Sequence, residues 1–169
     1  MKLYYLFSRN QKIGSKLIAK ASGLLVKDLE KVPSHIAMLL EFDNIQELFV
    51  VESTLESGVR IIPYSVWLQH NELCYKIPCD ENIQPNKVFE IFNTIWGKKY
   101  DWPGIGYFAI CFIKHLLFKI DFPKENKWQS DDKFFCSEAI STITNYAKAG
   151  MATPAKMCSD FLKMRAQNG

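Results

Sequence analysis

The first half of the chain alternates short apolar runs with turn residues. Apolar residues recur at helical spacing over residues 12–25, which predicts a short amphipathic helix. Four extended runs rich in apolar and β-branched residues follow and predict strands. These runs are His35–Phe42, Glu47–Thr54, Val59–Ile62 and Leu73–Ile77. Short turns such as Asp43–Asn44 join them, which predicts an antiparallel meander.

The second half changes to the periodicity of helices. A core-facing helix comes first, and Gly97 can end it. The apolar face of this helix comprises Val88, Ile91, Phe92, Ile95 and Trp96. The polar stretch 121–133 predicts a loop, after which Asp131 or Asp132 can cap a helix over residues 134–149.

The order of the elements indicates the fold class. Thr153 is a cap residue and Pro154 suits the first position of a last helix. Strands followed by helices predict an α+β domain. The chain has 169 residues, 48% of them apolar and 23% charged, which is the composition of a globular protein. We expect one domain over residues 1–169.

The longest apolar run, Gly104–Phe118, is interrupted by Lys114 and His115. It predicts a helix over residues 105–120 but falls short of the roughly 20 residues needed to cross a bilayer. One interpretation is a helix buried in the core. The other is contact with a membrane surface or an acyl chain through residues 104–118, and both stay open.

Charge and the N-terminal sequence exclude some classes of function. The net charge of +3 is too small to indicate a nucleic-acid partner. The apolar run Met1–Phe7 is too short for a signal peptide, and polar residues follow it. We therefore expect a protein that is cytoplasmic as synthesised, and its delivery elsewhere would need lysis or injection.

Candidate chemistry falls on five cysteines and three histidines. The cysteines are Cys74, Cys79, Cys111, Cys136 and Cys158. They include no C-x-x-C pair, and the sequence has no H-E-x-x-H, phosphate-binding glycine loop or EF-hand loop. We expect no metal site and no cofactor, and a cytoplasmic chain should keep its cysteines as thiols.

Cys136 lies in the first turn of the helix predicted over residues 134–149. Backbone N–H groups and the helix dipole favour a thiolate at such a position. A thiolate is the form of cysteine that attacks a carbonyl carbon. The alternative for Cys136 is a small buried residue at the start of a helix.

His35 can lie on the same sheet face as Glu52. A two-residue turn at Asp43–Asn44 pairs Phe42 with Ile45, and the same register places His35 directly opposite Glu52. A four-residue loop would make the two residues diagonal neighbours on one face, whereas a three-residue loop would separate them. A histidine oriented by a carboxylate is half of a Cys/His/acid triad. The alternative is two polar residues that face water.

Several segments together resemble the permuted papain-fold cysteine hydrolases, specifically the YiiX-like branch of the NlpC-type superfamily. The likeness covers nearly the whole chain in short motifs whose order and spacing make the set specific. The motifs are Ser8-Arg9-Asn10 with Ile13–Ile18, Ser34-His35-Ile36-Ala37, Val50–Thr54, Lys99-Tyr100-Asp101-Trp102, Phe134–Glu138, and Thr153-Pro154 before a terminal helix.

The resemblance implies a role for each candidate residue. Cys136 would be the nucleophile, His35 the general base and Glu52 the group that orients His35. Tyr100 would lie near the nucleophile and help to bind the substrate carbonyl or its oxyanion, although its turn could also be a loop packed by aromatic side chains. The implied fold is a circularly permuted papain-like domain, in which a small antiparallel sheet or partial barrel packs against helices.

The resemblance implies hydrolysis of an amide, and peptidoglycan stem peptides are the typical substrate class of the family. Lipid-acting relatives such as the lecithin:retinol acyltransferase-like enzymes carry Asn-Cys-Glu-His around the cysteine, whereas this chain has Phe135-Cys136-Ser137-Glu138. An acyltransferase, thioesterase or lipid amidase with the same triad is the second hypothesis. A non-catalytic binding module that keeps the fold is the third. The expected partner is accordingly a small peptide, amide or acyl-lipid substrate.

Overall fold

The computed structural model describes residues 1–121, 123, 126–128, 132–146 and 152–168. These residues form an α+β structure, as predicted. Its strands are β1 (Lys2–Arg9), β2 (His35–Glu41), β3 (Phe49–Thr54), β4 (Gly58–Pro63) and β5 (Glu72–Pro78). Its helices are α1 (Ile13–Leu25), α2 (Tyr64–Leu68), α3 (Pro85–Ile95), α4 (Trp102–Phe118), α5 (Cys136–Thr144) and α6 (Pro154–Asn168).

The strands form one antiparallel sheet in the order β4-β3-β2-β1-β5. The meander predicted for β2, β3 and β4 is confirmed, but β5 does not continue it. Instead β5 pairs with β1, which the sequence did not predict as a strand. Both faces of β1 are largely covered, so its residues lack the alternation of apolar and polar positions that marks a half-exposed strand.

The sheet separates two layers of apolar side chains. One face carries the larger layer, which includes Phe7, Met38 and Val51 and packs against α3, α5 and α6. The other face carries Leu6, Ala37, Leu39 and Val50 around the buried Trp67 of α2, another element that the sequence did not predict. Successive residues of a strand point to opposite faces, so neighbouring residues of one strand reach different layers.

The helix around Cys136 is shorter than predicted. It begins at Cys136 and ends at Thr144, where Asn145 takes a left-handed conformation with φ 55°. Its cap is not Asp132, which instead forms an ion pair with Lys98 at 3.2 Å. Asp131, the other predicted cap, lies outside the described residues.

Two other predicted helix ends are confirmed. Gly97 follows α3 with φ +72°, the left-handed conformation that ends a helix. Helix α6 begins at Pro154, and the Lys156 N–H donates to Thr153 Oγ1 at 3.1 Å. The predicted cap and proline therefore act as expected at this end of the chain.

Of the two interpretations of the apolar run over residues 105–120, the helix buried in the core is wrong. All residues of α4 are described, and Gly104 is the only one of them that is buried. The helix starts earlier than predicted because Asp101 caps it by accepting a hydrogen bond from the Gly104 N–H at 3.0 Å. Within the described part of the chain, no helix has the length and apolar character needed to cross a membrane.

Gly58 allows β4 to pack closely against the chain that leaves α3. Its φ is +63°, and a Cβ at this position would lie 2.1 Å from the Lys98 carbonyl oxygen. That carbonyl accepts a hydrogen bond from the Val59 N–H at 2.9 Å, so it cannot move without loss of the contact. A side chain at residue 58 is therefore excluded by both conformation and space.

We expect Gly58→Ala to lower the free energy of unfolding by about 2 kcal/mol or more, because it adds left-handed strain to a backbone clash. Urea unfolding followed by circular dichroism measures the change. Gly14→Ala is the matched control, since nothing lies within 4 Å of its added Cβ and α1 accepts alanine. Equal stability of the Gly58→Ala variant and the wild type would contradict the packing described for this turn.

Candidate active site

Cys136 is the first residue of α5, and hydrogen bonds fix the backbone of the two residues that precede it. The Phe134 N–H donates to the Lys99 carbonyl at 3.0 Å, and the buried Ser53 hydroxyl donates to the Phe134 carbonyl at 2.5 Å. The Phe135 N–H donates to Glu138 Oε2 at 3.4 Å, which caps the helix. Cys136 is only 6% exposed, so access to its thiol is narrow.

His35 and Glu52 come together, although in a different register from the predicted one. The strands pair Met38 with Val51, so the connection is two residues longer than a two-residue turn and His35 is not directly opposite Glu52. The difference of two residues keeps both side chains on one face, as the four-residue alternative required. His35 Nε2 and Glu52 Oε2 lie 2.9 Å apart.

Glu52 is a buried carboxylate, 1% exposed, that accepts hydrogen bonds from three side chains. Besides His35, the Trp67 indole N–H donates to Oε2 at 3.0 Å. Arg60 donates to Oε1 from Nε at 3.0 Å and from Nη2 at 2.6 Å. Burial alone would raise the pKa of Glu52, but His35 and Arg60 outweigh it and hold the pKa at about 2.

The sequence reasoning missed Arg60 and Trp67. Arg60 pairs directly with Glu52 in the β3–β4 hairpin, so the register of that hairpin could have indicated it. Trp67 gave no comparable signal, because it reaches Glu52 from a short helix that follows the hairpin. Both side chains supply hydrogen bonds to the carboxylate in a layer that is otherwise apolar.

His35 links Glu52 to Cys136. Its side chain is 14% exposed, and the burial of the ring would by itself lower its pKa. Hydrogen bonds with the Cys136 and Glu52 side chains outweigh burial and raise the pKa of His35 to about 10. Since Nε2 faces Glu52, the ring nitrogen left for the thiol is Nδ1. The hydrogen bond with Glu52 therefore orients the imidazole.

Tyr100 precedes α4 and is half-buried near Cys136. Burial raises the pKa of its phenol, and electrostatic interactions with Cys136 and Asp101 raise it further. The phenol is therefore a protonated O–H donor at neutral pH. Its ring lies 5.9 Å from that of Trp102, centroid to centroid, at the base of α4.

The remaining cysteines and histidines lie apart from this arrangement. The five cysteines are free thiols, and burial raises the pKa of both Cys79 and Cys158 to about 12. His115 Nδ1 lies 3.0 Å from the Ile120 carbonyl at the far end of α4. Among the described residues, no group of three or more His, Cys, Asp or Glu side chains could hold a metal ion.

The stability of the fold should depend on pH through Glu52. Because its pKa lies below the ordinary value of 4.5, its stabilising contribution is present above pH 4.5 and is lost as the pH falls toward 2. We expect Glu52→Gln to lower the free energy of unfolding by about 3 kcal/mol at pH 7. The difference from the wild type should shrink as the pH falls, and urea titrations at a series of pH values measure it.

Glu56→Gln is the control for this prediction. Glu56 forms an exposed ion pair with Lys12, so its replacement should change stability far less than that of Glu52. A stability difference between Glu52→Gln and the wild type that stays constant from pH 7 to pH 2 would contradict the assignment of a buried, ionised carboxylate.

Cys136, His35 and Glu52 thus come together: His35 and Glu52 are hydrogen-bonded, and the Cys136 thiol lies close enough to His35 to affect its pKa. The chain matches no model of a known protein family, no curated protein and no solved structure. The three side chains themselves offer a thiol beside an imidazole, and a carboxylate that orients the imidazole. This combination can generate a nucleophile and move a proton to and from it.

Proposed function

We propose that the protein is a cysteine hydrolase that cleaves an amide bond through a thioester acyl-enzyme on Cys136. The observation that supports this most strongly is the series Cys136–His35–Glu52, in which the carboxylate is itself held by Arg60 and Trp67. A chain of this kind fixes the orientation of the imidazole and stabilises its protonated form.

The proposed reaction proceeds in two stages. The Cys136 thiolate attacks the carbonyl carbon of the amide, and the carbonyl π electrons move to oxygen. His35, as imidazolium, donates its proton to the leaving nitrogen as the C–N bond breaks, which leaves a thioester on Cys136. A water molecule then attacks the carbonyl carbon of the thioester, and His35 takes a proton from this water. The C–S bond breaks, which releases the carboxylic acid and restores the Cys136 thiolate.

Two sources of hydrogen bonds are available for the oxyanion. The Tyr100 phenol, kept protonated by its raised pKa, is a donor near Cys136. The first N–H groups of an α-helix have no acceptor within the helix, and Cys136 begins α5. Donors aimed at the developing negative charge lower the barrier to attack.

The proposed family is the permuted papain-like fold of the YiiX-like branch. The antiparallel sheet with helices packed on it agrees with this proposal, as does the chain order of histidine strand, acidic strand and cysteine helix. Under this proposal the histidine precedes the cysteine in the sequence, because a triad depends on roles rather than on order. Peptidoglycan stem peptides are then the first substrates to test.

A lipid-directed acyltransferase, thioesterase or amidase is the second candidate. The observation that favours it is the exposed apolar surface of α4, which begins two residues after Tyr100. The same thiolate and imidazole would then act on an ester, thioester or amide of a fatty acid. Cleavage of acyl lipids without cleavage of muropeptides would favour this candidate over a peptidase.

The first test is turnover by a variant without the nucleophile. We expect Cys136→Ala to lose hydrolysis of peptide amides completely and to keep the unfolding transition of the wild type, because the removed atom is a single sulfur. Product formation is followed by chromatography and mass spectrometry. Cys111→Ala, on α4 and apart from the triad, should retain wild-type rates. Unchanged turnover by Cys136→Ala would refute the assignment, and absence of turnover in the wild type would favour a binding module.

The second test needs no substrate. Iodoacetamide at neutral pH should label Cys136 before Cys79 and Cys158, whose raised pKa keeps them as thiols. We expect His35→Gln to slow labelling of Cys136 by about tenfold, because the thiolate loses its imidazolium partner. Peptide mass spectrometry locates the label. Equal labelling rates at Cys136 in the wild type and the variant would contradict the proposed ion pair.

A further inference from the structure

Helix α4 presents its apolar residues to solvent. Trp102, Ile113 and Leu117 lie on one face of the helix and are 60%, 53% and 68% exposed. Ile110 and Leu116 border them at helical spacing and are also exposed. A surface helix of a globular protein normally turns its polar residues outward, whereas α4 is apolar on its exposed face as well as on its inner one.

The opposite face of α4 is only partly covered. Phe108, Cys111, Phe112 and His115, which lie on this side, are half-buried rather than exposed. At the base, Asn126 donates a hydrogen bond to the Gly104 carbonyl at 2.9 Å, and the Trp128 ring lies 5.4 Å from that of Tyr107. These two contacts attach the first turns of α4 to residues 126–128.

The charged residue of α4 and the first one after it are both lysines, and Asp121 follows them. Lys114 lies at the border of the exposed face, and Lys119 follows the last turn. From Trp102 to Ile120 the sequence contains no aspartate or glutamate. An apolar face bordered by lysines suits the interface of a bilayer that contains anionic lipids, where lysine stems lie along the acyl chains and the ammonium groups reach the phosphates.

The length of the helix determines how it can meet a bilayer. Seventeen residues span about 25 Å, less than the roughly 30 Å of hydrocarbon in a bilayer. The exposed residues extend along the whole helix rather than at its tip. Both facts favour a helix that lies parallel to the membrane surface. Trp102 and Trp128, both exposed, lie near its base, and tryptophan is enriched at this depth in membranes.

A second copy of the chain is a less suitable occupant. Packing of two α4 helices face to face would bring lysines together with no carboxylate from either helix. An anionic lipid surface supplies the missing negative charge and covers the apolar face at once.

We propose that α4 docks the protein on the surface of an anionic phospholipid bilayer, with the face that contains Trp102, Ile113 and Leu117 in the acyl-chain boundary. This inference does not depend on hydrolytic activity. Because the Tyr100 ring packs against that of Trp102 at the base of α4, docking brings Tyr100 close to the lipid surface.

Flotation of the full chain with lipid vesicles tests the proposal. We expect the wild type to float with vesicles of phosphatidylcholine and phosphatidylglycerol, and to float less with phosphatidylcholine alone. Ile113→Glu combined with Leu117→Glu should weaken binding by about tenfold or more, because two apolar side chains no longer enter the bilayer. Both side chains are exposed, so circular dichroism and thermal unfolding should match the wild type.

Leu55→Glu combined with Leu68→Glu is the matched control, since both leucines are exposed outside α4. This control and Cys136→Ala should float like the wild type, which separates docking from catalysis. Failure of the wild type to float, or equal flotation of the α4 variant, would overturn the proposal. So would a wild-type dimer that the α4 variant dissociates, if neither protein floats.

Discussion

The buried carboxylate of Glu52 is the interaction on which the arrangement of the site depends. A charge placed in an apolar layer is costly unless donors replace the water that it loses. Here an indole, a guanidinium and an imidazole replace it, and each comes from a different element. The positions of α2, β4 and the start of β2 are thus fixed by one group. His35 is held toward Cys136 as a consequence of how Glu52 is satisfied.

The segment before Cys136 is positioned by contacts on the opposite face of β3, the strand that carries Glu52. Ser53 holds the Phe134 carbonyl, and the Lys99 carbonyl holds the Phe134 N–H. Lys98, the preceding residue, packs against Gly58 at the start of β4. The segment before Cys136 is therefore attached to β3 directly and to β4 through the chain that leaves α3.

The sequence supported the geometry of the site better than the arrangement of the sheet. The common face of His35 and Glu52 was predicted from the even number of residues in the turn between their strands. The observed register differs from the predicted one by two residues, which leaves both side chains on the same face. Strand β1 was missed because, covered on both faces, it has no polar alternation. Trp67 was missed because contacts between distant elements leave no periodic signal. The sequence left two interpretations of the α4 run open, because an apolar run does not show which surface covers it, and the buried one is wrong.

The alternation along β3 has a consequence for folding. Glu52 and Ser53 are neighbours in the chain but belong to opposite layers, and each has partners only on its own side. A slip of one residue in the pairing of this strand would turn the carboxylate into the larger apolar layer, away from Arg60 and Trp67. Such a chain would hold a charge without donors, so misregistered forms are disfavoured. Glu52 and Ser53 thus also favour the correct register of β3.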